Sequence, residues 1–198
     1  MRRSFMAVDA VSLGARWVCA LLLALLPTSA PSLPVLPDVV VEEADPELHR
    51  VGALLMWRGE PFSGVVQRVE AQRVLARTGY WMGAREGTAT EWHANGVMAA
   101  QRWYRDDRRE GVHRGWWPNG KLQFERRYAR DLFEGPQRAW YPDGALFESR
   151  DYRAGHEEGR QSQWSNDGRL VANYVFRDGR RFGIVGRFDC ATVDGHAR

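Results

Sequence analysis

Lysine is almost missing from this 198-residue chain: Lys121 is the only one, so nearly all positive charge is arginine. Cysteine is as scarce, with Cys19 and Cys190 only, which excludes a disulfide-stapled scaffold. The longest strongly apolar run, residues 17–26, covers ten residues, about half of the ~20 that a membrane-crossing helix takes. His93, His113 and His156 stand at unrelated spacings, without a His-x3-His or Cys-x2-Cys pattern. Zinc takes convergent ligands, usually four, so no metal is expected. A glycine-rich phosphate loop, a nucleophile elbow and a triad order are absent too. No cofactor, no small-molecule substrate and no enzymatic activity are therefore expected. Residues 51–186 show no useful helical period.

Charge is unevenly placed. Of the formal +3, residues 1–30 supply +2, through Arg2, Arg3 and Arg16 against Asp9. The remainder is close to neutral, which argues against a nucleic-acid partner. The same N-terminal stretch has basic residues, the apolar run and a small-residue end at Pro27-Thr28-Ser29-Ala30. This is the layout of a secretory signal peptide, with cleavage expected after Ala30. An uncleaved anchor is the alternative. Cys19 precedes the leucine run, whereas a lipid-carrying cysteine would follow it. The mature chain is expected to be carried across the inner membrane, to the periplasm, with Cys190 as its one thiol. Residues 31–50 combine Pro31, Pro34, Pro37 and Pro46 with Glu42, Glu43, Asp45 and Glu47. Extended, solvated chain is expected there, a spacer, although Val39-Val40-Val41 could add an edge strand.

What the chain has in abundance is aromatic residues and glycine, and both recur with one step. Gly87, Gly111, Gly135, Gly159 and Gly183 are each 24 residues apart. So are Gly96, Gly120, Gly144 and Gly168; Trp92, Trp116, Trp140 and Trp164; Met98, Leu122, Leu146 and Leu170; and Tyr80, Tyr104, Tyr128, Tyr152 and Phe176. Five columns in one register define a repeat. Pro118-Asn119-Gly120 and Pro142-Asp143-Gly144 are turn chemistry: proline presets φ, and glycine takes the left-handed position. A type I turn closed by a glycine bulge makes a three-residue hairpin loop, which sets Trp116 opposite Leu122 and Trp140 opposite Leu146. Leu122, Phe124, Arg126 and Tyr128 share one face, while Gln123, Glu125 and Arg127 share the other. The fold expected is all-β, with tandem 24-residue β-hairpins over 51–186 in an elongated, twisted antiparallel sheet, and a C-terminal tail at 187–198. The first unit, from Gly64 to Tyr80, lacks the Pro-Asn-Gly turn and steps by 23 rather than 24. Terminal repeats commonly depart in this way.

Candidate chemistry rides on these columns. The tryptophan column is expected to be core, with sugar stacking as the alternative. Glu86, Glu110, Glu134 and Glu158 form an acidic column, and Arg102, Arg126 and Arg150 a cationic one. Cross-sheet pairing of the two is expected; the alternative is a charged array that binds a partner. Trp103 and Trp117 fall outside the tryptophan column and are expected to form an exposed aromatic patch, of the kind that anchors protein interfaces with arginine. The candidate binding residues are thus Trp103, Trp117, Arg102, Arg126 and Arg150.

The pattern Glu-Gly-x4-Trp-x-x-(Asn/Asp)-Gly-x-Leu-x5-Tyr resembles the bacterial MORN-repeat variant over roughly residues 59–186. The resemblance implies a hairpin-repeat sheet used for protein contacts, or in some members for membrane or lipid association; some members carry an antitoxin-like label. A protein partner is expected, with a membrane lipid or a cell-wall glycan as the alternative.

Overall fold

The computed structural model describes residues 34–184. The expected signal peptide at 1–30, Cys190 and the tail at 187–198 lie outside them. Among the described residues there is no helix. The strands are β1 (Val40–Glu42), β2 (Leu48–Val51), β3 (Leu54–Trp57), β4 (Glu60–Pro61), β5 (Gly64–Glu70), β6 (Arg73–Trp81), β7 (Ala84–Trp92), β8 (Met98–Arg105) and β9 (Arg108–Arg109). They continue with β10 (Gly111–Trp116), β11 (Leu122–Ala129), β12 (Leu132–Phe133), β13 (Gly135–Trp140), β14 (Leu146–Arg153), β15 (His156–Trp164), β16 (Leu170–Arg177) and β17 (Arg180–Ile184). One large sheet runs in the order β1-β5-β6-β7-β8-β10-β11-β13-β14-β15-β16-β17, with β9 and β12 as short side pairings on β8 and β11. A second, three-stranded sheet contains β2, β3 and β4. The large sheet is antiparallel except where β1 joins β5 in parallel. The expected all-β hairpin-repeat fold is the one observed.

Two kinds of turn alternate along the array. On one edge the predicted three-residue loops form: the Gly120 N–H donates to the Trp117 carbonyl and the Trp117 N–H to the Lys121 carbonyl, both at 2.8 Å. Gly120 sits at φ +81°, the left-handed position that a side chain resists. Trp116 faces Leu122 and Trp140 faces Leu146 across a register shift before each tryptophan, as a glycine-bulge loop requires. On the other edge lie two-residue turns with positive φ at both residues: Asp106-Asp107, Arg130-Asp131, Ala154-Gly155 and Asp178-Gly179. This primed geometry matches the right-handed strand twist. The first unit closes on Ala71-Gln72, again with positive φ at both. A two-residue turn in place of the three-residue loop accounts for its shorter step.

The fold begins earlier than the spacer reading of residues 31–50 allowed. β1 pairs with β5 at Val40–Val65, Val41–Val66 and Glu42–Gln67, and β2 opens the small sheet. Alternation puts the Val41 side chain inward, and its burial offsets the ordering of this acidic stretch. Val41, Leu55, Phe62, Val66 and Tyr80 make the apolar core, in which the small sheet covers the first unit. Beyond it the sheet is a single layer. The tryptophan column lies on one face as expected, but Trp92, Trp116, Trp140 and Trp164 are only half-buried. No second layer covers them among the described residues, so they shield strands and one another rather than forming a closed core.

Candidate functional site

The positions that are fully buried through the middle units are polar. His113, Gln137 and Gln161 repeat at the 24-residue step and are each at most 2 % exposed. Each reaches a carbonyl at a second repeating position. His113 Nε2 donates to the Trp103 carbonyl at 2.8 Å, Gln137 Nε2 to that of Arg127 at 3.1 Å, and Gln161 Nε2 to that of Asp151 at 2.7 Å. Gln137 Oε1 also accepts from the Arg127 N–H at 2.9 Å. These side chains satisfy backbone groups where adjacent hairpins diverge, a buried debt that an apolar side chain could not settle. Burial pushes the His113 imidazole below its usual value, helped by the charges of Arg102 and Arg109. Its ring sits between Tyr104 and Tyr128, at centroid distances of 5.6 and 4.7 Å.

Each edge has its own ladder. Beside the primed turns, the Asp106, Arg130 and Ala154 N–H groups donate to Glu86, Glu110 and Glu134 of the preceding unit, at 3.0, 3.0 and 2.8 Å. The acidic column therefore caps turns; it does not pair with the arginine column as expected. A carboxylate held at a strand start lies closer to the next turn than to the mid-strand arginines. Arg85 and Arg109 bind Asp107 and Asp131, at 2.7 and 3.0 Å, and lie over Tyr104 and Tyr128. The Arg109 N–H, and then its guanidinium, hold the Asp131 carboxyl below the usual carboxylate range. Beside the loops, Asn95 and Asn119 donate to the Pro118 and Pro142 carbonyls, both at 2.7 Å. His93, Trp117 and Tyr141 donate to the carbonyls of Trp116, Trp140 and Trp164, at 2.8, 3.1 and 3.0 Å.

The five candidate binding residues divide accordingly. Trp103 is exposed (39 %) on the face opposite the tryptophan column. Trp117 is half-buried, its indole N–H spent in the loop ladder. It thus does not join Trp103 in one patch, since the two lie at opposite strand ends. Arg102, Arg126 and Arg150 do form a row, and each is ion-paired. Arg102 meets Glu91 at 2.6 Å, Arg126 meets Glu148 at 2.7 Å, and Arg150 meets Glu148 at 3.2 Å and Glu157 at 3.9 Å. The row is an alternation of charges on the tryptophan face, not a free cationic array. Among the described residues no three His, Cys, Asp or Glu side chains converge as a metal site would need.

A cleft of about 370 Å³ with aromatic walls lies at the loop edge of the third and fourth units. Its lining is Trp117, Gln123, Phe124, Arg126, Ala139, Trp140, Tyr141, Pro142 and Phe147. Phe124 pairs with Gly115 on one side and Ala139 on the other. A Cβ at residue 115 would come within 2.2 Å of Phe124 Cε1, so the glycine makes room for the ring. Of this cleft, the sequence offers Trp117 and Arg126 as binding candidates, and Trp140 as a core residue with sugar stacking as the alternative. The available signal was departure from the repeat: Phe124 stands where other units have Ala100, Glu148 and Ala172, and Phe147 where they have Ala99, Gln123 and Val171.

Residues 109–129, which span β10, the Pro-Asn-Gly loop and β11, match the family described as MORN repeat variant. The match supports a MORN-type repeat in this chain, and MORN repeats in general are binding modules for proteins or lipids rather than enzymes. A search of curated proteins returns no match.

Proposed function

We propose that the chain is an exported, non-enzymatic scaffold that binds a protein partner in the cell envelope, most simply the periplasm. The observation that carries this reading is the division of labour between repeating and non-repeating positions. Repeating polar side chains are consumed internally, in the turn caps and in the buried His113, Gln137 and Gln161 column. Large side chains that break the repeat, namely Trp103, Phe124 and Phe147, lie at the surface or around the aromatic cleft. Rigid aromatic anchors on a preformed sheet suit protein recognition. The basic, apolar and small-residue order of residues 1–30 supports export. An antitoxin-like role does not suit an exported chain, which would not meet a cytoplasmic toxin.

A second reading is an envelope module for carbohydrate or lipid headgroups. Exposed Trp103 favours it, with Arg105 also exposed on the same face. The test immobilises the purified full chain and challenges it in parallel with an envelope protein extract, insoluble peptidoglycan and vesicles of anionic phospholipid. Saturable capture of one protein, lost on Trp103→Ser or Trp140→Leu, is the expected result. Retention on glycan or vesicles without protein capture would replace the first reading by the second. Localisation is checked by fractionating cells that express the tagged chain; a cytoplasmic pool alone would overturn export.

A further inference from the structure

We propose that the cleft around Trp140 binds a proline-rich peptide in the extended polyproline conformation, an inference that rests on the protein-partner reading and names the partner's chemistry. The walls are aromatic: Trp117, Phe124, Trp140, Tyr141 and Phe147. The volume of about 370 Å³ falls in the range of true ligand sites rather than of surface dimples. The arrangement occurs once among the described units, because only here does a phenylalanine in β11 sit between two small neighbours, Gly115 and Ala139.

The polar groups of the cleft narrow the ligand. The Trp117 indole N–H is spent on the Trp140 carbonyl and the Tyr141 hydroxyl on the Trp164 carbonyl. The Arg126 guanidinium gives one nitrogen to Glu148 at 2.7 Å, a carboxylate it shares with Arg150 at 3.2 Å. Among the described residues this leaves the Trp140 indole N–H, the Gln123 amide and the remaining Arg126 N–H groups open to a ligand. A surface of this kind complements an uncharged chain that offers compact apolar rings and a carbonyl acceptor. Polyproline meets each condition. Its rings stack on aromatic walls, its carbonyls point outward to accept from an indole N–H, and it has no amide N–H to strip of water. It is also preformed, so little conformational freedom is lost on binding. A sugar would bury several hydroxyls that need acceptors as well as donors against a wall of aromatic rings and a few N–H groups, leaving many of them unsatisfied. An anionic headgroup would have to compete with Glu148 for Arg126.

The experiment titrates a fluorescein-labelled decamer of proline with the full chain and follows anisotropy, with a Gly-Ser decamer as control. Saturable binding of the proline decamer alone is expected. Trp140→Leu and Phe147→Ala should each weaken it about tenfold, the loss of one good contact. Trp92→Leu, in the same column two units away, should leave it within about twofold. Far-UV circular dichroism confirms that each variant is folded, and the Phe147 variant stands in if the Trp140 variant is not. Absence of saturable binding to the unaltered chain overturns the proposal, as does undiminished binding by folded variants. Binding of chitohexaose, but not the proline decamer, in a Trp140-dependent manner also overturns it. Capture of an envelope protein that survives Trp140→Leu, with no proline binding, would sink the cleft proposal while leaving the protein-partner reading intact.

Discussion

At the scale of single residues, the array is held by buried polar groups whose worth depends on being satisfied. Gln137 is completely buried and bonds both the N–H and the carbonyl of Arg127. Gln137→Leu keeps the approximate volume but leaves the Arg127 N–H unpaired and its carbonyl with the Glu134 N–H alone, so a loss of about 1–3 kcal/mol is expected. Urea unfolding monitored by tryptophan fluorescence would measure it, and a neutral result would mean that water replaces the amide. His113 occupies the same column and adds a titration. Burial lowers its folded-state value below the 6.5 of the free side chain. The unfolded chain therefore binds more protons just below that value, and stability falls as the pH drops from about 6.5 toward the folded-state value. Above 6.5 this contribution is fully present. His113→Gln, which copies the next two units, should remove the dependence. Melting temperatures of both proteins across pH 4.5–7.5 test this, and parallel curves would assign the pH sensitivity to other groups.

At the scale of the hairpin, units differ by exchanging volume and charge in pairs. Facing positions hold Glu91 with Ala100, Gly115 with Phe124, Ala139 with Glu148, and Gln163 with Ala172. Each pair sets a small residue against a large one. Gly115→Ala alone should destabilise by about 1–3 kcal/mol, because the new Cβ collides with the Phe124 ring and overpacking forces the ring aside. Phe124→Ala in the same chain should recover much of that loss. A double-mutant cycle by thermal melting reads the coupling, and strict additivity would show that the pair is independent. The primed turns follow the same rule. Where Arg85 and Arg109 stand, the turns carry Asp107 and Asp131; where Phe133 stands, the turn has Gly155. Phe133 instead stacks on Tyr128 at 4.9 Å. A non-glycine residue with positive φ costs about 1–2 kcal/mol, and the Glu86, Glu110 and Glu134 caps with the Arg–Asp pairs offset it.

At the scale of the whole array, stability is a sum over neighbouring units and need not be uniform. The N-terminal end is closed by the small sheet over Val66 and Tyr80. In the last unit Leu170 and Phe182 are more than half exposed, and among the described residues the buried Gln161 Oε1 has no partner. Amide hydrogen exchange is therefore expected to be slowest in β5 and β6 and to quicken toward β16 and β17. Mass-spectrometric exchange on peptides resolves this gradient. Uniform protection from β5 to β17 would mean that the array unfolds as one unit.

The sequence alone determined the repeat, its 24-residue step, the three-residue loops and the Trp116–Leu122 and Trp140–Leu146 registers. Turn chemistry and strand alternation are local, so neighbouring residues encode them. The primed turns were not legible, because Asp106-Asp107 and Arg130-Asp131 lack the usual glycine and are stabilised by partners from an adjacent unit. The tertiary structure alone decided which carboxylate meets which arginine, since that depends on reach across strands rather than on column membership. It likewise decided that β1 and β2 belong to the fold, that Trp117 is spent in a ladder, and that Phe124, Trp140 and Phe147 converge. Convergence from β11, β13 and β14 is a property of the stacked sheet, where long-range packing brings together side chains that no local spacing connects.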